Sequence, residues 1–194
     1  MTAERLEATL ALAHEVLDVL DTHDVQAVVI GALALAVHGY PRATRDLDLG
    51  VATSLSTLEN VAQTLSQRGM TVALRRPDPQ DPLGGVVDVE DETDDLVQLV
   101  NFDNPPAGGF PRLVVDALAT AEPLEPGARL RVVDPYHLVM FKLYAGGPKS
   151  ALDILALLAR APQLDRARLR DLAASYRLDR ALQRVLSLAD DGLT

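Results

Sequence analysis

Hydrophobic positions change their period twice within the first fifty residues. Leu6, Leu10, Ala13, Leu17 and Leu20 recur at helical spacing and predict an amphipathic helix over residues 4–22. Val28 to Ile30 form a short β-branched apolar run, as a buried central strand would. Gly31 lets the backbone turn sharply into an Ala-rich helix, which Gly39 and Pro41 end. In Asp46-Leu47-Asp48-Leu49 the period becomes two. Both aspartates then share one face of a strand, while Leu47 and Leu49 point to the core.

Leu58, Val61, Ala62 and Leu65 predict a third helix over about 55–68, capped by Ser54 or Ser56 and closed by Gly69. Residues 71–75 read as a strand, and Arg76 to Gly85, with its prolines and glycines, as a loop. Val86–Glu90 and Leu96–Asn101 read as two strands. The acidic run Asp91-Glu92-Thr93-Asp94-Asp95 between them is expected to be a solvated turn. Asn104 to Gly109 is a second break, a lid or linker, and Pro111 starts a helix to about Ala121. Arg129 to Val133 reads as one more strand. From Pro135, with Asp134 as its cap, the pattern is all helical, broken at Gly146-Gly147-Pro148 and continuing over about 149–160, 165–176 and 178–188. The chain therefore divides into a core, residues 1–134, and a helical C-terminal lobe, residues 135–194.

The two strand aspartates carry the first candidate chemistry. Side-by-side carboxylates repel, and a divalent cation relieves them; hard oxygen ligands suit Mg²⁺ (or Mn²⁺), which takes one or two carboxylates together with substrate phosphates. The Gly31-Ala32 turn presents the N–H groups of a helix start to phosphate. Arg42 and Arg45, flanking Thr44 just before the aspartates, suit phosphate oxygens. Other readings stay open: the aspartates as the wet face of an edge strand, and one arginine as a partner for an acid. His38, at a helix end, is expected to cap or pack, and His137 to lie at the surface; His14 and His23 show no partner spacing.

Composition narrows the partners. The 194 residues carry a net charge of −10 and no cysteine, which excludes disulfides and thiolate metal sites. No apolar run approaches the ~18 residues of a membrane span, and Met-Thr-Ala-Glu-Arg lacks the basic start of a signal peptide, so a cytoplasmic protein without a membrane partner is expected. Residues 1–110 hold 6 basic and 18 acidic side chains, residues 111–194 hold 12 and 10. Indiscriminate nucleic-acid binding needs clustered positive charge and is disfavoured; a polyanion would meet the C-terminal part, whose arginines otherwise read as ordinary helix surface.

Gly31-Ala32, His38-Gly39, Arg42-x-Thr44 and Asp46-x-Asp48, in this order and spacing, resemble the polymerase-β-type nucleotidyltransferase superfamily, especially its minimal nucleotidyltransferases and AbiEii-type toxins. The likeness implies an α/β (α+β) fold, a small mixed sheet flanked by helices. It implies a metal-dependent transfer of a nucleoside monophosphate from an NTP to a hydroxyl of RNA (tRNA) or protein, with a cognate toxin or antitoxin as a further partner. In that superfamily three strand acids hold two Mg²⁺ ions. Asp46 and Asp48 match, but the third position, in Val97-Gln98-Leu99, is a neutral Gln98. Asp88, one strand earlier, is a substitute if its register lets it reach the cleft. Relatives carry Gly-Ser or Gly-Gly where this chain has Gly31-Ala32, which removes a hydroxyl from the phosphate site. Lys142, Lys149 and Asp153 match a second motif, where a lysine offsets triphosphate charge; a plain Lys149–Asp153 pair at i,i+4 explains them equally well. The missing acid leaves an alternative: a catalytically degenerate module that binds a nucleotide or a partner.

Overall fold

The structure is a computed structural model that describes residues 3–77, 83–93, 95–105, 108, 110–161 and 164–190. Parts of both expected breaks, 78–82 and 106, 107 and 109, lie outside these residues, as does Asp94 of the acidic turn. The elements run α1 (Ala3–Thr22), β1 (Ala27–Val29), α2 (Gly31–Val37), β2 (Asp46–Val51), α3 (Leu55–Gln67), β3 (Thr71–Arg75), β4 (Val86–Glu90), β5 (Leu96–Asn101), α4 (Pro111–Thr120), β6 (Glu122–Pro123), β7 (Arg131–Val132), α5 (Pro135–Ala145), α6 (Gly147–Arg160), α7 (Arg166–Ser175) and α8 (Asp179–Asp190).

The strands form one mixed sheet in the order β3-β4-β5-β2-β1-β7-β6. β2 lies parallel to β5 and antiparallel to β1, while β1 lies parallel to β7. Alternation decides the two faces. Leu47, Leu49, Val87, Val89, Val97 and Leu99 are fully buried on one face, against α1, α3 and α4. On the opposite face Asp46, Asp48, Gln98 and Asp88 stand only partly covered, with α2 packed on β2.

Local capping works as the sequence implies. Ser54 Oγ accepts from the Thr57 N–H at 3.1 Å and starts α3. The Asp134 carboxylate accepts from the N–H groups of Tyr136 and His137 at 2.9 and 3.2 Å and starts α5. The strand expected at 129–133 shrinks to two residues, and β6, too short to show a period, pairs with it.

Two polar residues are more buried than expected. His137 is not at the surface; it is 6 % exposed, with Nδ1 bonded to the Asp134 carboxylate and near the Thr120 hydroxyl. A histidine one turn into a helix sits beside its own cap, and α4 closes over both. Asp95 ends the acidic turn but is not solvated: at 2 % exposure it meets Arg5 Nε at 3.3 Å and the Thr9 hydroxyl at 3.0 Å, pinning α1 to β5.

Burial pushes the Asp134 carboxyl up, but the hydrogen bonds from His137 and Thr120 outweigh it and leave the group at about 2. A depressed carboxyl stabilises the fold above its unfolded value near 3.8, and that contribution fades as pH falls towards 2. Asp134→Ala removes both the cap and the histidine's partner. The expected loss is about 2–3 kcal/mol at pH 7, a cap plus a buried hydrogen bond, read from denaturant melts. A loss below about 0.5 kcal/mol, the size of an ordinary surface change, would show the cap to be unimportant.

Candidate active site

β1 delivers the chain to the site and Gly31 turns it. The Ile30 N–H donates to the Asp48 carbonyl at 2.9 Å, so the start of α2 lies against β2 at the level of Asp48. Gly31 has φ +66°, and a Cβ there would lie 1.7 Å from Asp48 Oδ2. Only glycine fits, for both reasons. The Ala32 N–H lies near the same carboxylate and favours its charged form. Asp48 therefore stands against the start of α2, the place where the sequence suggested phosphate binding. Gly31→Ala is expected to force Asp48 aside. It should lower Tm by several degrees, from about 1–3 kcal/mol of backbone strain alone, and a circular-dichroism melt overlapping that of wild type would contradict this packing.

Asp46 and Asp48 occupy alternate positions of β2 on one face, as the spacing implied. The Thr44 hydroxyl hydrogen-bonds the Asp46 carboxylate. Burial, and next the charge of Asp46, push the Asp48 carboxyl up to about 6; Lys142, Arg42 and the Ala32 N–H oppose the rise without cancelling it. The Asp48 carboxylate is thus costly to ionise where it is buried, despite two cations nearby.

Those cations are held from the other side by Asp153. This α6 carboxylate is 3 % exposed and meets Lys142 Nζ at 2.8 Å and Arg42 Nε at 3.3 Å. The i,i+4 pair with Lys149 does not form: Lys149 is exposed on the first turn of α6, and Asp153 faces inward. Arg45 is exposed as well. The basic loop thus contributes Arg42 to the interior and leaves Arg45 in solvent.

Gln98, which the family likeness set at the third acid's position, lies directly opposite Asp48 on β5. It is also opposite Asp88 on β4, so Asp88, Gln98 and Asp48 form a row across three strands. Asp88 faces the cleft side, but two strand spacings, roughly 9–10 Å, separate it from Asp48. Its Oδ1 accepts from Gln98 Nε2 at 2.7 Å and meets Arg75 Nη2 at 3.2 Å. Among the described residues, no three His, Cys, Asp or Glu side chains converge as a metal cluster.

Between the sheet and α5 lies a cleft of about 370 Å³, with Gly31, Asp48, Gln98 and Lys142 at its polar end. Its other walls are apolar and aromatic, among them Val100, Phe102, Phe141 and Tyr144. Ala32, Arg42 and Thr44 line a separate, shallower groove beside α2. His38 packs, as expected, with Nε2 2.7 Å from the Val133 carbonyl. The aromatic wall was not singled out from sequence, because α5 is apolar on nearly every face and its cleft side carries no distinguishing pattern. Asp153 had a usable signal: it sits four residues before Leu157 on the buried stripe of α6, and a buried acid demands partners.

No protein-family model matches the chain, and no curated protein matches it either. Solved structures do. An antigenic nucleotidyltransferase-like protein from Paracoccidioides brasiliensis superposes with a TM-score of 0.55 at 16% identity, over 98% of this chain and 93% of that one. ANT(2'')-Ia in complex with adenylyl-2''-tobramycin gives 0.53 at 17% identity, over 88% and 97%. The same antibiotic-resistance factor in solution gives 0.52 at 15% identity, over 96% and 97%. The chain shares the fold of these proteins, a mixed α/β architecture.

Proposed function

We propose that this chain is a nucleotidyltransferase, moving a nucleoside monophosphate from an NTP to an acceptor hydroxyl. The observation that carries the reading is the pair Asp46 and Asp48 on one face of β2, with Asp48 lining a cleft that also presents Lys142. The raised Asp48 carboxyl fits a divalent cation: two clustered carboxylates are stabilised by one. Asp46 and Asp48 would hold Mg²⁺ or Mn²⁺ together with nucleotide phosphates. Bound there, the ion would supply charge stabilisation for the phosphoryl group in transfer.

The chain's own groups do the rest. Lys142 on α5 and Arg42 in the loop before β2, both fixed by Asp153, offset triphosphate charge, and Gly31 and Ala32 offer backbone N–H groups once Asp48 turns away from them. Thr44 holds Asp46 in place through its hydroxyl. Lys149 and Arg45, both exposed, serve the outer phosphates or the acceptor. The acceptor oxygen attacks the α-phosphorus, the bond to the pyrophosphate oxygen breaks, and the hydroxyl proton passes to water. RNA (tRNA) or protein is the acceptor in this reading, within a toxin–antitoxin pair. The adenylylated tobramycin bound by ANT(2'')-Ia shows that a small hydroxylated molecule is an acceptor class worth including in the assay.

A second reading rests on one observation. Gln98 is neutral where a base would stand, which favours a module that binds nucleotide without transferring it. Incubation with each α-labelled NTP, Mg²⁺ or Mn²⁺, and total RNA, cell protein or aminoglycosides separates the two. Label transferred to any acceptor supports catalysis. Nucleotide binding without transfer supports the module, and the absence of both rejects the site.

A further inference from the structure

We infer that this site takes one divalent cation with its nucleotide, not two, and that Gln98, oriented by Asp88, fixes that number. The inference rests on the nucleotide-binding reading above and concerns what stands beside Asp48. Two-metal phosphoryl-transfer sites place their ions roughly 3.5–4 Å apart and need anionic ligands on both. Here the two anionic groups alternate along β2, and the residue directly across from Asp48 on β5 is an amide. The next acid, Asp88, is one strand further on.

The hydrogen bond between Asp88 and Gln98 makes the arrangement specific. A carboxylate only accepts, so the amide must turn Nε2 towards Asp88, and it does so at 2.7 Å. Oε1 is then the remaining polar atom of a side chain that lines the cleft beside Asp48. It is an uncharged acceptor: able to receive a hydrogen bond from an incoming hydroxyl, unable to take its proton, and a poor replacement for a carboxylate on a second ion. Asp88 meanwhile is committed to Gln98 and Arg75. It acts as a positioning residue that sets which way the amide faces.

The test counts ions. Mn²⁺ is titrated into the full chain with a non-hydrolysable α,β-methylene NTP, and bound Mn²⁺ is followed by electron paramagnetic resonance. Wild type is expected to bind one Mn²⁺ per chain and Gln98→Asp two. Asp88→Asn, whose side chain can donate to Gln98 Oε1 as well as accept from Nε2, frees the amide to turn and is expected to keep one ion but bind it about tenfold more weakly. Two ions on wild type would overturn the inference and leave the proposed function intact. So would an unchanged affinity in Asp88→Asn, which would show that Asp88 does not set the amide's orientation. No Mn²⁺–nucleotide binding by wild type would overturn both. Should Gln98→Asp fail to fold with a third acid in the row, the wild-type count and Asp88→Asn still decide.

Discussion

Asp48→Asn is expected to make the metal-free protein more stable at neutral pH while abolishing its metal–nucleotide binding. The folded-state value of Asp48 is raised from 3.8 to about 6, so the native state holds this proton more tightly than the unfolded chain does. Its stabilising contribution is fully present below about 4 and is lost as pH rises through about 6. At one pKa unit per ~1.4 kcal/mol, the ionised carboxylate costs on the order of 2–3 kcal/mol at pH 7–8. Asparagine stays neutral and its carbonyl still faces the Ala32 N–H. The variant should therefore melt several degrees above wild type at pH 8, at roughly 2–4 °C per kcal/mol, with the advantage gone by pH 4. Parallel melts at the two pH values check the sign. A variant that melts lower at pH 8 would mean that Asp48 is held by Lys142 and Arg42 as a structural ion pair.

Asp153→Asn carries the opposite expectation. Asp153 is the buried counter-charge for Lys142 and Arg42, whose side chains are 13% and 21% exposed. Breaking a buried ion pair by removing one partner costs about 3–5 kcal/mol. Partial solvent access to both cations lowers that to about 2–4 kcal/mol. The freed Lys142 also loses the geometry that holds it at the cleft, so nucleotide affinity should fall alongside stability. Lys149→Ala, at an exposed position, should change stability by less than about 0.5 kcal/mol. Urea denaturation of the two variants together tests the contrast. Equal, small effects would show that Asp153 does not organise the site.

The stretch from Val28 to Val51 was legible because its periods are unambiguous: three apolar β-branched residues, a glycine-bounded helix, then strict alternation. That alternation also placed Asp46 and Asp48 together, and the position of Gln98 followed from the likeness to known nucleotidyltransferases. What the sequence did not disclose depends on long-range partners. Asp153 looks like a partner for Lys149 until α5 and the basic loop bring Lys142 and Arg42 to its inner side. Asp95 looks solvated in its acidic run, and only the return of α1 supplies Arg5 and Thr9. His137 looks exposed beside a helix start until α4 covers it. Strands of two residues, β6 and β7, hold no period to read.

The most direct measurement is equilibrium binding of an NTP analogue to wild type, Asp46→Asn and Asp48→Asn, each with Mg²⁺ and with chelator. Wild type is expected to bind nucleotide with Mg²⁺ and to lose most of that affinity in chelator, while neither variant responds to the metal. Nucleotide affinity that is the same for all three proteins, or a wild type that binds none at millimolar metal and nucleotide, would contradict the assignment of Asp46 and Asp48 as the metal–nucleotide site.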